Sequence, residues 1–244
     1  MAGCNCIDVS EHNGNINWEA VKNDGVDYAL IRCGFGRDIE SQDDKYFHIN
    51  MEGALNAGLK VGVYFYSYAD YGDAAAEEAE HCLRLINGYK DKLSLPVFYD
   101  LEEDKCKNKV YDIYTMFEAI LKEAGYNVGC YASQYWFNTC LKPVPMDYTW
   151  VAKWDGSQPD WGCSIWQFTG SGHCAGVYGN VDCDVVLDEN MTALIPVPDP
   201  VPDPIPDPVP DPIPDPDVPS DNEVSINIKI KVPEGTDIKV NVDQ

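Results

Sequence analysis

The sequence predicts an α/β fold, a short (β/α) barrel of about eight strands and five helices, so that its ring of helices is incomplete. Three observations lead there. Eight short apolar runs recur through the first 195 of the 244 residues. Amphipathic helical patterns fill the first five gaps between them, and the last two gaps hold Gly, Ser, Asp and Pro with no helical period. Alternating strands and helices argue for a parallel sheet, and eight strands argue for its closure. About 195 residues is the short end for such a barrel, and the missing late helices account for that. A doubly wound open sheet is the structural alternative.

Along the chain, the first strand at 5–9 closes on Ile7-Asp8-Val9 and precedes a helix at 17–24. The second, 27–33, carries Arg32 and leads to helix 43–57. Strand three, 60–66, ends in Tyr64-Phe65-Tyr66 before helix 73–90. Strand four, 96–101, runs from Leu95-Pro96-Val97-Phe98-Tyr99 into Asp100-Leu101-Glu102, and helix 110–124 follows. Strand five, 127–132, supplies Tyr131 ahead of helix 133–140. Strands six to eight, at 148–153, 164–168 and 180–183, bring Trp154, Gln167 and Asp182 to the same rim.

Residue 195 ends this body. Twelve of the 17 prolines lie between Pro196 and Pro219, in a Pro-Asp-Pro-Val and Pro-Asp-Pro-Ile repeat of period four. Alternate prolines remove backbone donors and fix φ, so 196–219 reads as a polyproline II spacer, its repeat at 196–217 spanning roughly 65 Å at about 3.1 Å per residue. A docking site for a Pro-binding domain is the alternative. Residues 220–244 alternate with period two around Pro233-Glu234-Gly235-Thr236 and read as a β-hairpin. Pairing Val232 with Ile238 puts both apolar sets on one face. Such a hairpin is marginal alone, so it is expected to join copies into a homo-oligomer or to dock on a wall.

Composition narrows the partners. With 41 acids against 17 bases the net charge is −24, of which −8 falls after residue 195. That disfavours nucleic acid and anionic membrane surfaces, which draw on clustered Lys and Arg. No apolar run approaches the roughly 20 residues of a membrane helix. The start carries no signal-peptide pattern. The expectation is synthesis in the cytoplasm and action after release, with secretion behind an absent leader as the alternative.

The rim is where chemistry is expected, because barrels of this kind place active sites at the C-terminal ends of their strands. Asp8, Asp100, Glu102 and Asp182 gather there with Arg32 and several aromatics. Positions i and i+2 of a strand share a face, so Asp100 and Glu102 both point into the mouth while Leu101 points to the helices. Nearby carboxylates in a low-dielectric mouth raise one another's pKa, the more buried one further. One then stays protonated as a general acid and the other ionised, as glycosidic cleavage requires.

At these residues the body resembles the glycoside hydrolase family 25 lysozymes (N-acetylmuramidases), over about residues 5–195. The resemblance rests on Ile7-Asp8-Val9-Ser10, Gly14-Asn15-Ile16-Asn17-Trp18, Ala29-Leu30-Ile31-Arg32-Cys33-Gly34, Asp100-Leu101-Glu102, Trp150-Val151-Ala152-Lys153-Trp154 and Trp166-Gln167-Phe168. Asn13, Asn17 and Phe65 depart from the family's usual Gln, Asp and His. The resemblance implies hydrolysis of the β-1,4 bond between N-acetylmuramic acid and N-acetylglucosamine in peptidoglycan, in the manner of a phage-type endolysin. It implies Glu102 as general acid and Asp100 as second carboxylate, serving either the substrate's acetamido group or a water. Asp8 and Asp182 are supporting acids. Tyr64, Tyr66, Tyr131, Trp154 and Gln167 are expected to bind sugar, and Arg32 to hold a carboxylate by a bidentate bond. No cofactor or metal is implied.

Ten cysteines show no Cys-x-x-Cys spacing for zinc. They are expected to be free thiols, with Cys4 and Cys6 pointing inward and Cys163 and Cys174 the pair most worth checking for a bond. A chitinase-like barrel is disfavoured because Leu95 and Phe98 occupy its two earlier acid positions. A glycan-binding module without catalysis is disfavoured by the four rim acids.

Overall fold

A computed structural model describes residues 3–195. The chain divides into units at 1–197 and 198–244. The spacer and hairpin expected at 196–219 and 220–244 lie outside the described residues.

Eight strands close into a barrel in sequence order: β1 (Cys6–Val9), β2 (Tyr28–Phe35), β3 (Lys60–Tyr66), β4 (Val97–Asp100), β5 (Val128–Ser133), β6 (Tyr148–Ala152), β7 (Ile165–Gly172) and β8 (Val181–Val186). Five helices lie between the first six: α1 (Trp18–Asn23), α2 (Phe47–Asn56), α3 (Gly72–Ile86), α4 (Val110–Glu123) and α5 (Gln134–Asn138). Their local causes are legible. Asn17 caps α1 by accepting from the Ala20 N–H at 3.1 Å, and Asn13 accepts from the Ser10 N–H at 2.9 Å in a capping box. Two of the family departures are thus absorbed as caps. The third, Phe65, points into the helix layer against the His81 ring, 5.1 Å between centroids.

One expectation is corrected. The sheet is not wholly parallel, because β8 runs antiparallel to both β7 and β1. The eight residues joining β7 to β8 include Gly176 and Gly179 at positive φ and contain no helix. A parallel crossover needs a dozen or more residues, so the chain returns as a hairpin. Asp182 therefore stands near the N-terminal end of β8, and the reversal is what brings it to the mouth.

Strand parity separates two apolar layers. Ile7, Ile31, Val63, Leu101 and Val151 face the helices, where Phe117 and Phe137 complete the packing. Inside the barrel, Trp150 is ringed by Tyr64, Phe98 and Tyr131 at centroid distances of 5.6, 5.6 and 4.4 Å. Gly129 makes this plug possible, since a Cβ there would lie 2.5 Å from the Phe98 ring. The plug floors the mouth above it.

All ten cysteines are free thiols, Cys163 and Cys174 included. Cys6 lies inside the barrel, but Cys4 packs with the outer layer. The alternation does not reach Cys4 because β1 begins at Cys6.

Candidate active site

The mouth of the barrel is a cleft of about 650 Å³ whose walls include Asp8, Asp100, Glu102, Asp182, Arg32 and Gln167. Tyr64, Tyr66 and Tyr131 also line it. Of the ten residues expected at the site, only Trp154 is not on the wall. It stands beside it, 62% exposed, with its ring against Gly170, where a Cβ would come within 2.9 Å.

Asp100 ends β4 and is 4% exposed. Its Oδ1 has no hydrogen-bond partner among the described residues. Burial pushes its carboxyl well above the usual range, the charges of Glu102 and Asp8 add to this, and the Arg32 guanidinium opposes it. Glu102 lies just past the strand end. Its side chain is exposed, and its carboxyl is also raised, first by partial desolvation and then by Glu103 and Asp182, with Tyr66 opposing. Solvent screens an exposed group, so the deeper Asp100 is the more strongly raised of the two.

A second carboxyl group of residues lies on β1 and β8. Asp8 and Asp184 are 5% and 0% exposed, and the charge of Asp184 is among the causes that raise Asp8. Burial pushes both well above the ordinary range; the Asp184 and Asp182 charges add to it at Asp8, and the Cys4 and Asp182 charges at Asp184, against the Trp150 hydrogen bond. Neighbouring carboxyls in a dry site resist ionising together, which favours a protonated form. Trp150 Nε1 donates to Asp184 Oδ1 at 2.8 Å, and Gln167 Nε2 donates to Asp8 Oδ2 at 2.8 Å. Gln167 is a hub, for its Oε1 also accepts from the Tyr131 hydroxyl at 2.9 Å and from Trp154 Nε1 at 3.2 Å.

Arg32 corrects a second expectation. It does not grip one carboxylate with two parallel bonds. Its Nε donates to Asp44 Oδ2 at 2.9 Å, and another guanidinium nitrogen reaches Glu11 Oε1 at 3.3 Å. Asp44 is buried and also accepts from the Glu11 and Tyr46 N–H groups at 2.8 and 3.0 Å. Arg32 thereby ties the loops after β1 and β2 to the rim, and its charge on Asp100 acts at longer range.

Glu11, Asp44, Glu103 and Asp184 were not singled out in the sequence. Asp184 carried a signal, two residues beyond Asp182 on the same face, hidden because the strand was expected to end at residue 183. Glu103 accepts from the Tyr66 hydroxyl at 2.9 Å, a contact between the end of β3 and the loop after β4 that alternation does not encode. Among the described residues no group of three or more His, Cys, Asp or Glu side chains is placed to hold a metal ion, and no helix is long and apolar enough to cross a membrane.

Comparison with known proteins gives a consistent picture. A family profile described as glycosyl hydrolases family 25 matches residues 7–177. Lysozyme M1 of Streptomyces globisporus is 29% identical over 202 residues, covering 74% of this chain and 67% of its own. The autolytic lysozyme of Clostridium acetobutylicum is 27% identical over 184 residues, covering 73% and 54%. The modular autolysin LytC of Streptococcus pneumoniae, solved with a synthetic peptidoglycan ligand, is 29% identical with a TM-score of 0.63, covering 73% of this chain and 45% of that one. The chain spans about two thirds of the first relative and about half of the other two.

Proposed function

Since the chain belongs to glycosyl hydrolases family 25, we propose that it hydrolyses peptidoglycan by cleaving the β-1,4 bond between N-acetylmuramic acid and N-acetylglucosamine. One observation carries the reading: Asp100 and Glu102 share the wall of one cleft, both with raised carboxyl pKa values. Glu102 is the general acid. It is the member of the pair open to an incoming chain, and a bound sugar that displaces water from it favours its protonated form further. It gives its proton to the leaving glycosidic oxygen. Asp100, buried beneath with one free oxygen, faces the positive charge that grows on the sugar as that bond breaks, and that charge favours its carboxylate form. It serves either the acetamido group at carbon 2 or an attacking water.

Asp8 and Asp182 support the pair, Asp8 through its charge on Asp100 and Asp182 through its charge on Glu102. Tyr64, Tyr66, Tyr131 and Trp154 offer ring faces and hydroxyls to the sugars. The test is Glu102→Gln, in which the amide cannot act as the acid. Turbidity loss of a wall suspension and reducing-end release should fall at least about 100-fold. The melting temperature should stay put, because the side chain is exposed. Undiminished lysis by a folded Glu102→Gln protein would place the acid elsewhere.

A further inference from the structure

The cleft is acidic, and one edge of it is not. Asp8, Glu11, Asp100, Glu102 and Asp182 line it. The cation on its wall, Arg32, is already engaged by Asp44 and Glu11. Lys45, at its margin, pairs with Glu11 at 3.2 Å. The exception is Lys105, on the turn directly after Glu102-Glu103. It is exposed, has no ion-pair partner among the described residues, and holds its ammonium 5.2 Å from the centre of the Tyr68 ring. Tyr68 belongs to the cleft wall and is 42% exposed. It meets Phe35 at 5.9 Å and Tyr66 at 5.2 Å, centroid to centroid, in T-shaped contacts.

This corner is rigidly built. Cys106 is buried and anchors the Lys105 turn to the core. From α3, Glu78 reaches the chain behind Tyr68. It is 2% exposed and has no cation within ion-pair distance among the described residues. One carboxylate oxygen accepts from the Tyr68 N–H at 2.7 Å, and the other accepts from the Ser67 and Tyr99 hydroxyls. Burial raises its carboxyl, against the pull of those hydrogen bonds. A buried acid held only by hydrogen bonds is a costly way to fasten a loop. What it secures is the direction in which Tyr68 leaves the end of β3.

Resting on the activity proposed above, we propose that Tyr68 and Lys105 form a specificity subsite that stacks a sugar and takes a carboxylate carried by that sugar or its peptide stem. Charge decides the direction. The acids of the cleft offer an anionic substituent no counter-charge, and among the described residues Lys105 is the unpaired cation beside the wall that can receive it. The ring supplies a charge-independent surface and the ammonium a charge-dependent contact, so the two are separable.

The test compares the full chain with Lys105→Met and Tyr68→Ala on three forms of one glycan. These are peptidoglycan with free stem carboxylates, the same material with those carboxylates amidated, and stem-free glycan prepared with an amidase, which exposes the lactyl carboxylate. Lys105→Met should raise KM about two- to fivefold on a carboxylate-bearing form, the range of an exposed ion pair, with no change on amidated material and kcat unaltered. An effect confined to the stem-bearing form assigns the carboxylate to the peptide, and one that persists on stem-free glycan assigns it to the sugar. Tyr68→Ala should raise KM on all three. Equal KM for Lys105→Met and the parent on every form, or a rise as large on amidated glycan, would overturn the subsite. If the parent itself releases no reducing ends from any form, the proposed activity fails instead.

Discussion

Replacing Asp184 with Asn should make this protein more stable, by an amount that grows with pH. Asp184 is fully buried and that burial raises its carboxyl well above the ordinary range, so folding favours a protonated form whose proton the unfolded chain releases near pH 3.9, the ordinary aspartate value. A carboxyl raised on folding contributes stability below its unfolded pKa, and that contribution is lost as pH rises toward the folded value. The slope is about 1.4 kcal/mol per pH unit per proton. Asn keeps the observed partner: its Oδ1 can accept from Trp150 Nε1, as Asp184 Oδ1 does at 2.8 Å, and it is neutral at every pH. Asp8 keeps its bond from Gln167 and loses a neighbouring negative charge. Between pH 4 and pH 6 the advantage of the variant should widen by up to about 2.7 kcal/mol, or roughly 5–11 °C in a body of this size. Urea unfolding of parent and variant at half-unit steps of pH measures it. An advantage that does not change with pH would refute the raised Asp184 carboxyl, and a uniform loss of stability would show that Asp184 is held as a stabilised carboxylate.

Two further outcomes follow from the same geometry. Glu103→Gln keeps an acceptor for the Tyr66 hydroxyl but removes the charge that, after desolvation, contributes most to raising Glu102. The alkaline limb of the kcat/KM profile should therefore move to lower pH, since the proposed role requires Glu102 to be protonated; an unmoved limb would show that another group sets it. Arg32→Met leaves Asp44 buried without its cation, which should cost about 3–5 kcal/mol in urea unfolding; a loss under 1 kcal/mol would mean that the Glu11 and Tyr46 N–H groups suffice for Asp44.

Much of this protein was readable as a string. Strand and helix periods differ, and each run declares which it follows, so β3 and α4 fall within a residue of where alternation and helical spacing put them. Parity along a strand is also local. It places Asp100 and Glu102 on one face with Leu101 on the other before any partner strand is known. The departures at Asn13 and Asn17 could be located in the sequence, but their use as caps needed the neighbouring N–H groups in place.

Tertiary structure decided what depends on two distant segments meeting. The direction of β8 is set by the closure of the barrel across a connection too short to cross over, and with it the place of Asp182 and the burial of Asp184 against Asp8. The partners of Arg32 come from the loops after β1 and β2, so a guanidinium expected to grip one carboxylate divides itself between two. Tyr68 lies past the end of β3, where alternation no longer says which way a side chain points, and only Glu78 on α3 fixes it. A period in sequence is a property of neighbours along the chain. A hydrogen bond between β1 and β8 or a carboxyl raised by burial beside other acids exists only once folding has brought the segments into contact and excluded water.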